Sequence, residues 1–184
     1  MTKKTKIVLI VLSVMAMMAG VGGFVFGRYW IDNKVPNFTE EYVLYVYPET
    51  TVAQVEDSLA LRAGTIRPKS LERALKKMEA SERMQPGRYV IDASVPSIYV
   101  ARMLVFGWQT PQNLTLSGTI RSKERLVKKI SNQMMVDSTE VASALADSAF
   151  LAQYGFTPEN VFAMIMQDTY QIYWTASVKE IFDR

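Results

Sequence analysis

An uninterrupted uncharged run, Ile7 to Gly27, follows Lys3, Lys4 and Lys6 and gives way to Arg28, Tyr29 and Trp30. At a helical rise of roughly 1.5 Å per residue the run reaches about 30 Å, the thickness of a bilayer's hydrocarbon core. A chain that begins this way is expected to cross a membrane once and fold the remainder on one side. The lysines precede the run and no equally dense basic cluster follows it, so the positive-inside rule keeps the N-terminus cytoplasmic and exports residues 28–184. A cleaved signal peptide is the rival reading, because Gly20-Val21-Gly22 offers small residues. The apolar region of such a peptide is only about 7 to 15 residues long, whereas here it continues through Phe24-Val25-Phe26. Length therefore favours a retained anchor, with Tyr29 and Trp30 at the outer interface.

The formal charge of +3 is carried by the three N-terminal lysines, which leaves the exported part neutral. No basic surface remains that would call for nucleic acid as a partner. Hydrophobic residues make up 49% of the chain, enough to bury a core. Cysteine and histidine are both absent. Disulfides, thiolate and imidazole metal sites, cysteine nucleophiles and serine-histidine triads are thereby excluded, and no metal or cofactor is expected. Acid-base chemistry falls to Asp, Glu, Tyr or Lys, and a carboxylate mechanism of the kind that cleaves glycosides is the natural survivor.

Past a polar linker at 31–41, the β-branched and aromatic run Tyr42 to Tyr47 ends at Pro48 and reads as a strand. Thr50 or Thr51 caps a helix carrying Val52, Val55 and Leu59 up to Gly64. Pro68-Lys69-Ser70 opens a second, with Leu71, Leu75 and Met78 on one face and Lys76-Lys77 on a solvated one. Pro86-Gly87 then turns into a strand at 88–91, so residues 42–91 form a strand-helix-helix-strand unit. A further helix follows Pro96 and ends at Gly107. Leu114 to Leu116 reads as a strand, Ser122 precedes a helix with Leu126, Val127 and Ile130, and another opens at Asp137 or Ser138. Strand, helix, helix thus recurs at 42–79 and 114–148 without residue identity to support duplication.

The segment from Phe156 onward passes through the apolar run Val161 to Met166, then Gln167-Asp168-Thr169-Tyr170 and Tyr173-Trp174. Ser177 to Glu180 has the spacing of a capping box. So few residues follow it that the chain is expected to stop inside an element, as the front part of a longer protein.

Taken in order, the single span, the small strand-helix-helix-strand unit, Pro86-Gly87-Arg88-Tyr89-Val90, the helix ending at Gly107, the strand at 114 and Gln167-Asp168-Thr169-Tyr170 resemble the YceG-like endolytic murein transglycosylases. The resemblance implies an α+β fold: an anchor at 1–30, a LysM-like βααβ subdomain at 42–92 and the start of a mixed α/β catalytic domain at 93–184. It also implies an inner-membrane enzyme, facing the periplasm, that cuts nascent peptidoglycan glycan strands and ends their elongation. In such enzymes a glutamate protonates the glycosidic oxygen and the sugar's C6 hydroxyl closes a 1,6-anhydro ring. That glutamate lies downstream of the Asp-Thr-Tyr motif, so the resemblance places it beyond Arg184. Cell-wall synthases are the partners the role implies.

Three departures from the family pattern stand out: Gln167 where Pro is usual, Phe162-Ala163 where Glu-Gly is common, and Ser117-Gly118 in place of Pro-Glu-Gly. Asp168 and Tyr170 match the motif and are candidates for shaping a substrate cleft; a turn residue and a packed ring are the competing structural readings. Tyr173 and Trp174 are candidates for stacking on sugar rings, with a core position expected for at least one. Glu159 and Glu180 stand in helical first turns, where a glutamate serves the dipole or a cap, and neither is nominated as catalyst. Two other functions compete. A non-catalytic peptidoglycan-binding or scaffolding module would retain glycan without making new ends. A pyridoxal-phosphate lyase would need a cofactor lysine and a phosphate loop, and no glycine-rich loop is present.

Overall fold

The computed structural model describes residues 3–118, 120, 122–165 and 168–184; Gln167 and Met166 lie outside them. Among the described residues it is a mixed α+β chain with an N-terminal apolar helix and two small sheets. The first helix, α1, runs Lys3–Lys34 without a break. Within its Ile10–Lys34 part the most apolar 18-residue stretch has mean hydropathy 2.1 and none of that stretch is buried against protein, so the helix is long and apolar enough to cross a membrane. The remaining described elements are β1 (Tyr42–Val46), α2 (Val52–Arg62), α3 (Pro68–Lys77), α4 (Ala80–Arg83), β2 (Gly87–Ile91), α5 (Ser97–Phe106), β3 (Gln112–Thr115), α6 (Lys123–Ser131), α7 (Ser138–Ala146), α8 (Ser148–Ala152), a 3-10 turn (Val161–Ala163), β4 (Thr169–Ile172) and α9 (Val178–Phe182).

Two compact units arise, and their boundaries cut across the 42–91 segment. The first comprises Met1–Tyr42, Thr51–Met84 and Ile91–Val105. Its helices form where the sequence supplies start signals. The Thr51 hydroxyl accepts from Gln54 N while the Gln54 side chain accepts from Thr51 N, a reciprocal cap that opens α2. Pro68 opens α3, where its missing N–H costs nothing. Gly64, at φ +62°, ends α2 in a conformation that side chains resist, and a Cβ there would lie 2.0 Å from Thr39 Oγ1. Val55 and Leu59 of α2, Leu71 and Leu75 of α3, and Ile98 and Leu104 of α5 are buried.

A polar seam runs through this unit. Asn37, 1% exposed, donates from Nδ2 to Arg67 O (3.1 Å) and Ser97 Oγ (2.8 Å) and accepts from Arg67 N (2.8 Å). Ser70 and Ser97, both buried, share a 2.9 Å hydrogen bond. Every buried donor and acceptor named here has a partner, which is the condition for polar groups to be tolerated in a core.

The second unit comprises Val43–Thr50, Gln85–Val90 and Phe106–Arg184. Strands β1 and β2 form one sheet; β3 and β4 form the other, antiparallel, with Gln112 opposite Ile172 and Leu114 opposite Tyr170. Ser122 caps α6, Asp137 caps α7 in a capping box with Glu140, and Ser177 caps α9 in another with Glu180. The core gathers Leu114, Leu126, Ile130, Val141, Leu145, Leu151, Val161, Ile172 and Ile181 around α6 and α7. A Cβ at Gly87 would come within 2.6 Å of the Gln109 side chain, which would have to shift to admit it. Gln109 Oε1 in turn accepts from the Thr175 hydroxyl at 3.0 Å.

Candidate functional site

Of the four residues singled out from the sequence only Tyr170 lies within β4; Asp168 precedes the strand, Tyr173 and Trp174 follow it, and the four differ in exposure. Asp168 is exposed at the bend before β4; its carbonyl accepts from Leu116 N (2.9 Å) and its carboxylate from Thr169 N (2.7 Å). Tyr170 is half-buried against the core cluster, opposite Leu114. Tyr173 points the other way, 52% exposed, into a cleft of about 610 Å³ shared with Gln171, Thr175, Glu180 and Asp183. Trp174 is 4% exposed. The four do not line one site.

What Trp174 supports is more informative. In β1 Leu44 and Val46 are buried, so the period-2 alternation sends Tyr45, and Tyr47 just beyond the strand, to the opposite face. There both rings stand edge-on to the Trp174 indole, at 5.0 Å and 69° for Tyr45 and 4.8 Å and 86° for Tyr47. The tyrosines remain 42% and 46% exposed. A buried indole thus fixes two accessible phenol rings in the arrangement aromatic quadrupoles favour.

These rings form one wall of a groove of about 380 Å³ whose other residues are Gln112, Asn113, Ser131, Asn132, Gln133 and Met134. Two of its carboxamides are structural. Gln133 donates to Lys129 O (2.7 Å) and Thr115 O (3.2 Å) and accepts from Thr115 N (3.0 Å), tying α6 to β3. Gln112 donates to Gln133 O and to Met134 Sδ. The other two, Asn113 and Asn132, are exposed, and their side chains have no hydrogen-bond partner among the described residues. Each offers an acceptor and two donors. Among the described residues no charged side chain lines this groove. Other clefts of the unit carry charge: Glu180 and Asp183 in the one beside Tyr173, Lys123, Glu124 and Lys128 between α6 and α7, and Asp137, Glu140 and Lys179 beside Pro48.

Electrostatics sorts the acids. Hydrogen bonds from Ser177 hold the Glu180 carboxyl below its ordinary range. The Thr157 hydroxyl does the same for Glu159, and Lys179 and Tyr154 for Asp183. Glu56 on α2 is pushed up, first by burial and then by Glu72 and Asp57, and its Oε1 is buried without a partner among the described residues. A general acid needs a raised value, and Glu159 and Glu180 are held the other way. Among the described residues no group of three or more acidic, His or Cys side chains is placed to hold a metal ion.

Tyr45, Tyr47, Asn113 and Asn132 were legible in the sequence only as strand or turn residues. The one available signal was the tyrosine alternation opposite Leu44 and Val46, since an aromatic face on a short strand must either be covered or be used.

No family model matches the chain, and no curated protein does. Among solved structures it is similar to a protein from Listeria monocytogenes described as YceG-like, at 11% identity and a TM-score of 0.44. The match covers 78% of this chain and 52% of that one, so the chain spans about half the length of the structure it matches.

Proposed function

We propose that this chain is a membrane-anchored, YceG-like protein that engages peptidoglycan glycan strands outside the membrane. In this reading α1 is a retained single-pass anchor with its N-terminus cytoplasmic, residues 42–92 act as a LysM-like subdomain, and the remainder belongs to a lytic transglycosylase that ends strand elongation, working beside cell-wall synthases. The observation that carries the reading is the uncharged groove of Tyr45, Tyr47, Asn113 and Asn132. Exposed aromatic faces pack against the C–H faces of pyranose rings, and free carboxamides pair with vicinal hydroxyls, donor and acceptor at once. A groove without charge suits a neutral sugar backbone and disfavours anionic or cationic ligands, which would lose hydration without a counter-charge. Its volume lies within the range of small-ligand sites, about 300 to 1,000 Å³.

Cleavage would follow the chemistry the family resemblance implies: a protonated carboxyl gives its proton to the glycosidic oxygen and the C6 hydroxyl closes the anhydro ring. Among the described residues no acid lines the groove, which favours holding over cutting as the task of these residues. The experiment is co-sedimentation of the full chain with purified uncrosslinked glycan strands, alongside quantitation of 1,6-anhydro ends. Saturable retention that Asn113→Ala and Asn132→Ala weaken supports the reading. Equal retention of wild type and variants removes the groove as the site, and no retention at all removes the function.

A further inference from the structure

The last turns of α1 are fastened to α3 in a defined order. Arg73 grips the Asp32 carboxylate with Nε (2.9 Å) and Nη2 (2.5 Å), and the Ser70 hydroxyl donates to the same group at 2.6 Å. Nearly one turn earlier on α1, the Lys77 ammonium lies 5.7 Å from the centre of the Tyr29 ring. Ser70 and Arg73 therefore meet Asp32 while Lys77 meets Tyr29, so α3 descends as α1 rises. The connection beyond Lys34 does not loosen this arrangement. Asn37 and Phe38 are buried, Ile66 N donates to Asn37 O (2.9 Å), Arg67 Nη1 donates to Pro36 O (3.0 Å), and Pro36 bridges Pro96.

This order fixes a depth. The uncharged run ends at Gly27, and Tyr29 stands two residues, about 3 Å, beyond it along the helix. The headgroup layer on each side of the hydrocarbon core is about 5 to 7 Å thick. An ammonium held over Tyr29 is then inside that layer, and the α3 end that carries it cannot stand clear of the membrane. The chemistry agrees. Lys76 and Lys77 are both exposed in the last turn of α3, Arg28 follows the uncharged run directly, and the acid of Glu79 is already paired with Arg83 at 3.7 Å. Tyr29 and Trp30, 54% and 52% exposed, are the residue types that settle at the bilayer interface. Lysine stems lie along apolar surface while their ammonium groups reach outward to phosphate.

We propose that the C-terminal end of α3, through Lys76 and Lys77 beside Arg28, is seated on the phospholipid headgroup phosphates of the bilayer that α1 crosses. The proposal rests on the reading of α1 as a retained span. It makes the first unit a body resting on the membrane, not one tethered above it.

The absence of cysteine allows a direct test with single nitroxide labels on the full chain in phospholipid vesicles. Labels at Met17→Cys, at Lys77→Cys and, separately, at Lys76→Cys are compared for collision with oxygen and with a water-soluble nickel chelate. The expected result is a hydrocarbon depth at position 17 and, at 76 and 77, a depth within about 5 Å of the phosphates. A lipid-buried label at 17 with bulk-water behaviour at both 76 and 77 overturns the headgroup contact and leaves the span standing. Water access at 17 overturns the span, and the headgroup contact with it.

Discussion

If the groove holds glycan as proposed, the aromatic side chain that the sugar reaches and the one it does not are separable by substitution. Tyr47 is 46% exposed and Trp174 is 4% exposed, although their rings touch at 4.8 Å. Replacing Tyr47 by alanine removes one edge-to-face pair, worth about 0.5 to 1.5 kcal/mol beyond burial. A folded domain with a stability of about 5 to 15 kcal/mol survives that loss. A ligand ring packed on the same phenol loses a contact of similar size, and about 1.4 kcal/mol is tenfold in Kd. Tyr47→Ala is therefore expected to remain folded and to bind glycan strands roughly tenfold more weakly. Trp174→Ala removes both edge contacts and a buried indole, a loss of about 3 to 5 kcal/mol for an aromatic truncated in a core. It should shift urea denaturation strongly and weaken binding only as far as it unfolds the groove. Paired calorimetric titrations and denaturation curves for the two variants decide the matter. A folded Tyr47→Ala protein with wild-type affinity would refute the assignment of the tyrosine wall. A stable Trp174→Ala protein with weakened binding would show that the indole meets the ligand itself.

Asn37→Ala should destabilise the first unit by about 3 kcal/mol, since three hydrogen bonds of about 1 kcal/mol each are lost and the Arg67 N–H is stranded; chemical denaturation reads this. Gly64→Ala forces a side chain into a positive φ and onto Thr39, and is expected to cost more than about 1 kcal/mol, visible as a lowered Tm. Glu56 carries a folded-state pKa above its unfolded value, so the folded protein holds the extra proton in that window. Stability should therefore fall as pH rises from the ordinary glutamate range through the raised value, and Glu56→Gln should flatten that part of the profile. An unchanged profile in the variant would show that another group titrates there.

The sequence is most transparent where a single local rule decides the outcome. Thr51, Ser122, Asp137 and Ser177 cap helices because their oxygens satisfy backbone donors that nothing else reaches, and Gly64 and Gly107 stop helices at positive φ. Two kinds of feature resist such reading. The short helices α4 and α8 are held by their surroundings and have too few residues for a periodic signal. The extent of α1 escapes for a different reason. Polar residues after Trp30 look like linker, yet Asp32 is bonded to Ser70 and Arg73, residues about forty positions away whose contribution no local pattern reveals. The β3–β4 pairing is hidden in the same way, because Gln112 and Ile172 meet only through the intervening α6 to α8 segment.

The candidate site shows where residue type and residue position part company. Tyr170, Tyr173 and Trp174 are by sequence candidates for a substrate cleft, yet Tyr170 is half-buried, Tyr173 exposed and Trp174 buried, and the accessible rings that gather over Trp174 come from β1 and the residue just beyond it, more than a hundred positions away. The acids follow the same logic. Eliminating histidine and cysteine leaves carboxylates as carriers of acid-base chemistry. Yet a carboxylate in a helical first turn is recruited by the nearest backbone N–H groups, which stabilise its charged form and make it a poorer proton donor. Glu180 shows this directly: its capping box with Ser177 holds its carboxyl down, although it faces the same cleft as Tyr173. Glu56 escapes recruitment and is raised, but it stands on α2 and lines none of the clefts described above. A groove with no charged lining among the described residues, proposed to hold glycan, makes retention of glycan the property to measure on these residues, with the appearance of new anhydro ends as the observation that would overturn a purely holding role.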